Sequence, residues 1–136
     1  MRNGAGAAAA LAPAAAIPAC GSASAGTGAV QEVRLGMHWS TFDRNAIEVR
    51  RGVPVRFVYV NDDPIAHEVL VGDAEFQRRH ETGTEAAHGH RANETDVPAN
   101  STVRTTLTFD EAGEVFFACH LPGHYAYGMK GTIRVV

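Results

Sequence analysis

The sequence predicts an all-β domain, a sandwich or a barrel, of seven or eight short strands. Three observations carry that expectation. Apolar residues recur at every second position in several short runs, the spacing that lines one face of a strand. Gly, Pro, Asn and Asp punctuate these runs at intervals too short for ordinary helices. The length fits one modest core: the first 29 of 136 residues hold 13 of the 23 alanines, five glycines, one charge (Arg2) and no aromatic side chain, which leaves 107 residues to fold.

In chain order, the leader comes first. Met1 to Ala25 resembles an export signal, with Arg2 as a minimal basic region and Gly4 to Ala16 as a weakly apolar one. Ile17-Pro18-Ala19-Cys20-Gly21 resembles a bacterial lipobox, which implies cleavage before Cys20 and lipid on its thiol; Pro18 departs from that pattern. The plainer alternative is an alanine-rich leader with an incidental cysteine. Gly21 to Gly28 (GSASAGTG) reads as a flexible tether. Residues 1–29 are thus expected to be leader and tether, and 30–136 the domain.

The strands follow. Val33, Leu35 and Met37 alternate with polar neighbours, as do Ile47 and Val49. Val53, Val55, Phe57 and Tyr59 share a face of a run that ends in Asn61-Asp62-Asp63-Pro64, a strong turn signal. Val69 and Val71 form a short strand closed by Gly72-Asp73. Val103, Thr105, Leu107 and Phe109 form the next face, then Val115, Phe117 and Cys119, then Ile133 and Val135. Ala74 to Asn93 breaks the pattern: it is polar and rich in His and Glu. Ala74 to Glu81 is expected as a short helix with Phe76 turned inward, and Gly83 onward as loop.

The residues that carry chemistry lie near the C-terminus. Cys119, His124 and Met129 are spaced C-x4-H-x4-M, and Pro122-Gly123 forces a turn that lets three side chains of one loop converge. Thiolate, imidazole and thioether suit copper, and two His plus one Cys with a weak axial Met is an electron-transfer copper set. The second histidine would be His67, at a strand start 52 positions before Cys119.

Here the sequence resembles the cupredoxins, the plastocyanin–azurin group of small blue-copper proteins. The resemblance spans about Val33 to Val136. It rests on the run from Ile47 to Phe57, on Asn61 to His67, and on the Cys119–His124–Met129 loop that ends in Gly131-Thr132-Ile133-Arg134-Val135. It implies a two-sheet Greek-key sandwich holding one type 1 copper near one end, with His67, Cys119, His124 and Met129 as ligands. It also implies redox partner proteins docking near His124, where Leu121, Pro122, Tyr125 and Ala126 would form an apolar patch.

Three features depart from the simplest cupredoxin. Glu68 follows His67; it either hydrogen-bonds near the thiolate or points outward as an alternating strand residue, and the outward reading is the expectation. His120 follows Cys119, which resembles half of the His-Cys-His element of multicopper oxidases. His80, His88 and His90 sit in the insertion beside Glu81 and Glu85, as a solvated loop or a weak second metal site. His38, beside Trp39, is read as structural or surface.

Composition limits the function. The domain carries 11 basic and 15 acidic side chains, a net −4, so no basic face for nucleic acid is visible. No run of 18 strongly apolar residues marks a membrane span, so membrane contact is expected only through a lipid on Cys20. The expected function is a one-electron carrier outside the cytoplasm, periplasmic or on the outer membrane face, monomeric and not an enzyme. The alternative is a copper-binding protein for resistance, storage or delivery that uses the His-rich insertion.

Overall fold

The computed structural model describes residues 29–83 and 91–136. The leader, Cys20, His88 and His90 lie outside the described residues. The strands are β1 (Gln31–His38), β2 (Thr41–Phe42), β3 (Ala46–Val49), β4 (Val55–Asn61), β5 (His67–Gly72), β6 (Glu94–Val97), β7 (Ser101–Leu107), β8 (Gly113–Ala118) and β9 (Lys130–Val135), with one helix, α1 (Ala74–Glu81), between β5 and β6. They form two mixed sheets, ordered β2-β1-β4-β7 and β3-β9-β8-β5-β6. The predicted all-β sandwich is present, with nine strands rather than seven or eight, and the helix spans the predicted residues.

Alternation decides the core. Val33, Leu35 and Met37 of β1 and Val55, Phe57 and Tyr59 of β4 face Val69 and Val71 of β5, Phe117 of β8, and Ile133 and Val135 of β9. Burying each of these side chains stabilises the fold by roughly 1.5–3 kcal/mol before chain entropy is counted. Tyr59 is the exception in kind: its hydroxyl is buried with no hydrogen-bond partner among the described residues, and desolvation pushes the phenol pKa far above its ordinary value.

Two strands went unpredicted, for physical reasons. The β1–β2 turn is made by Trp39 and Ser40, both left-handed with φ of 55° and 53°, where Gly or Asn would have given the turn away. β6 buries Glu94 on one face and Thr95 and Val97 on the other, so its sequence, ETDV, offers a single apolar residue and no alternating pattern.

The sheet order places the site. β5, β8 and β9 are neighbours, with Leu70 opposite Ala118 and Ala118 opposite Lys130. Both pairings are antiparallel, so the start of β5, the end of β8 and the start of β9 meet at one end of the sandwich. His67 opens β5, Cys119 follows β8 and Met129 precedes β9.

Candidate metal centre

Each side chain of the centre is positioned by main-chain bonds before any metal is considered. The turn leading into His67 is pinned by Asn61, whose amide donates to the carbonyls of Ile65, Val97 and Pro98 at 2.8, 3.1 and 3.0 Å. The Cys119–Met129 loop is closed by Cys119 N–H to Met129 O at 3.0 Å, and by Met129 N–H to His124 O and His124 N–H to Leu121 O, each at 2.9 Å.

These bonds bring His67, Cys119 and His124 together, with one ligand atom from each lying within 4.8 Å of the others. Cys119 Sγ is 3.3 Å from His124 Nδ1, and the two imidazole rings are 5.0 Å apart. Met129 is fully buried in the same core cluster.

His67 shows most directly what this cluster fits. Its Nε2 lies 2.8 Å from Asp63 Oδ2, and its Nδ1 is buried with no hydrogen-bond partner among the described residues. The carboxylate accepts from Nε2–H, so the lone pair sits on Nδ1. A buried imidazole nitrogen left bare is costly unless it serves a purpose. A carboxylate on the far nitrogen of a metal-ligating histidine is the arrangement that fixes its tautomer and raises its basicity.

The Cys119 thiol is pushed up by burial. Backbone N–H groups of Glu68 and Leu121 donate to the sulfur and pull the pKa back down, while the charge of Glu68 pushes it up again; the net shift is upward. His124 is held below the ordinary imidazole value by burial, with His67 adding to the effect. Both sites therefore favour the neutral group when no metal is present.

A family profile described as copper binding proteins of the plastocyanin/azurin family matches residues 31–136. The chain belongs to that family. It is 30% identical over 126 residues to the copper-resistant cuproprotein CopI of Pseudomonas aeruginosa, across 69% of this chain and 70% of the relative. It is 34% identical over 97 residues to CopI of Rubrivivax gelatinosus, across 69% of this chain and 59% of the relative. Auracyanin A, a "blue" copper protein of Chloroflexus aurantiacus, shares the fold with a TM-score of 0.65 at 21% identity, over 79% of this chain and 100% of its own. Family and donor chemistry agree on copper as the metal.

In this plastocyanin/azurin-family chain, several residues differ from the sequence expectation. Glu68 does not point outward. It is 4% exposed and accepts the His120 N–H at 2.9 Å; β5 is buried on both faces, with α1 packed against it, so alternation along this strand does not mark an outward side. His120 is also enclosed, between Gln77 Oε1 at 2.7 Å and Glu81 Oε2 at 3.0 Å. Burial holds its pKa below the ordinary value, although Glu81 and Glu68 both oppose that shift.

His80 is buried on α1, its Nδ1 2.8 Å from the Phe76 carbonyl and its ring 5.9 Å from that of His120. Among the described residues the only metal-type cluster is His67, Cys119 and His124, and His80 is outside it. His38 is exposed, as read from sequence. In the expected apolar patch Pro122 and Ala126 are exposed, while Leu121 and Tyr125 are half-buried. The large exposed aromatic of this loop is Tyr127, 90% exposed and not anticipated. Asp63 and Gln77 were also missed as supporting residues. Asp63 sits inside a turn signature, and Gln77 looks like an ordinary polar helix position.

Proposed function

We propose that this chain is a type 1 copper protein, with copper held by His67, Cys119, His124 and Met129, and that it serves copper resistance outside the cytoplasm. The observation that carries the site is the bare, buried Nδ1 of His67 on a histidine that clusters with Cys119 and His124. The resistance role is favoured because both CopI relatives are described as copper-resistant cuproproteins.

When bound, copper supplies a one-electron couple between Cu(II) and Cu(I). The chain's own residues supply a compromise suited to both ions: two imidazole nitrogens, one thiolate and one thioether. Asp63 holds the His67 tautomer, and the N–H groups of Glu68 and Leu121 stabilise the anionic sulfur. Cys119 gives up its thiol proton on binding. A leader that exports the chain, and a lipid on Cys20, fit this location.

The second reading is a one-electron carrier whose partner docks at the His124 end. It is favoured by the exposure of Pro122, Ala126 and Tyr127 around that imidazole. Deleting the gene and measuring growth on raised copper separates the two readings. The resistance role predicts copper sensitivity that wild-type protein rescues and Cys119→Ser does not. Unchanged copper tolerance, with loss of a redox activity at low copper, would favour the carrier instead.

A further inference from the structure

Helix α1 stands outside the two sheets, yet its side chains reach the loop that carries Cys119 and His124. The link is His120. Its Nε2 lies 2.7 Å from Gln77 Oε1 and its Nδ1 3.0 Å from Glu81 Oε2, both on α1. The orientation of Gln77 is fixed, because its amide nitrogen donates to the carbonyls of Leu70 and Phe116 at 3.0 and 3.1 Å. Its amide oxygen therefore faces His120 and accepts from Nε2–H.

The same residue is held from two further directions, one through its ring and one through its main chain. Tyr125, the residue after His124, stacks on it at 4.6 Å and 16°. Glu68, the residue after His67, accepts its main-chain N–H at 2.9 Å. One residue, its side chain 2% exposed, thus touches Tyr125 with its ring and Glu68 with its main-chain N–H, and follows Cys119 directly in the chain.

We infer that His120, with Gln77 and Glu81 of α1, is a positioning residue for the copper centre. The helix fixes where Cys119 and His124 sit by gripping the imidazole that adjoins them. This inference rests on the reading that His67, Cys119 and His124 hold copper. The physical case is that the main-chain bonds of the 119–129 turn fix its internal shape, while the contacts of His120 with Gln77 and Glu81 tie that turn to α1. Partners bonded directly to a metal ligand are typically worth 10–100-fold in metal affinity; His120 acts from the residue next to a ligand, so the lower end of that range is expected.

The test uses the full chain loaded with one equivalent of Cu(II). His120→Phe keeps a ring against Tyr125 but loses both polar contacts with α1. It should leave the far-UV circular dichroism of the apo-protein unchanged, weaken copper about tenfold in chelator competition, and shift the thiolate charge-transfer band and the EPR hyperfine splitting. Glu81→Ala should move all three in the same direction by less, and Glu81→Gln, which can still face Nδ1, should lie closer to wild type. Should His120→Phe fail to fold, the two Glu81 variants decide, since that side chain is 43% exposed. Wild-type spectra and affinity in His120→Phe, or in Glu81→Ala where only the Glu81 pair folds, would overturn the inference, and loss of the band in Cys119→Ser would leave the copper reading standing. A band that survives Cys119→Ser would instead overturn the copper reading itself.

Discussion

Asp63 accepts three donors with one carboxylate: Trp39 N–H at 2.6 Å, Ser40 N–H at 2.8 Å and His67 Nε2 at 2.8 Å. It thereby holds a left-handed turn without glycine and orients a buried imidazole. Burial pushes its carboxyl up, but the Ser40, His67 and Trp39 bonds together outweigh burial and hold it below the ordinary carboxylate range. A carboxyl depressed in the folded state stabilises the fold above its unfolded pKa, and that contribution disappears as pH falls through the folded value. Asp63→Ala should therefore cost about 2 kcal/mol at neutral pH. In urea titrations across the acid range its stability should also fall less steeply with decreasing pH than that of wild type. Tyr59 gives the opposite expectation. Its hydroxyl is buried without a partner among the described residues, so Tyr59→Phe should raise stability by about 1 kcal/mol in the same assay.

At the scale of elements, α1 is seated through Gly72. A Cβ there would come 2.4 Å from Phe76 Cδ1 and 2.9 Å from Phe76 Cβ, the root of the side chain, so the helix itself would have to move. Gly72→Ala should cost about 1–3 kcal/mol by overpacking and, because α1 grips His120, should also alter the copper charge-transfer band. This helix was legible in the sequence: Asp73 precedes a run of helix formers and caps it through Phe76 N–H at 2.7 Å. The convergence of His67, Cys119 and His124 was legible too, because a turn signal before one strand and a Pro-Gly turn after another place them at strand ends. Less visible were features set by tertiary contact. The β1–β2 turn depends on a carboxylate 23 residues away, and β6 reads as polar because its Glu94 is buried beside Arg91 at 3.3 Å. Glu68 alternates as an outward residue would, yet β5 is buried on both faces.

For the whole molecule, a small β sandwich gathers the buried Cys119 thiol and two imidazoles at one end, with Met129 also buried in a largely apolar core. With the thiol pushed above its ordinary value and His124 below its own, Cys119 is the group that must lose a proton on binding at neutral pH. Apparent copper affinity, followed by chelator competition, should rise about tenfold per pH unit near neutrality and more steeply in acid, where His124 also competes for protons. A pH-independent affinity would mean that no thiolate is involved. The most direct measurement is addition of Cu(II) to the purified apo-protein, followed by visible absorption and EPR. A copper centre built on Cys119 gives an intense thiolate charge-transfer band that saturates at one equivalent and is absent in Cys119→Ser. A colourless product with ordinary tetragonal EPR, or a band that persists in Cys119→Ser, would contradict it.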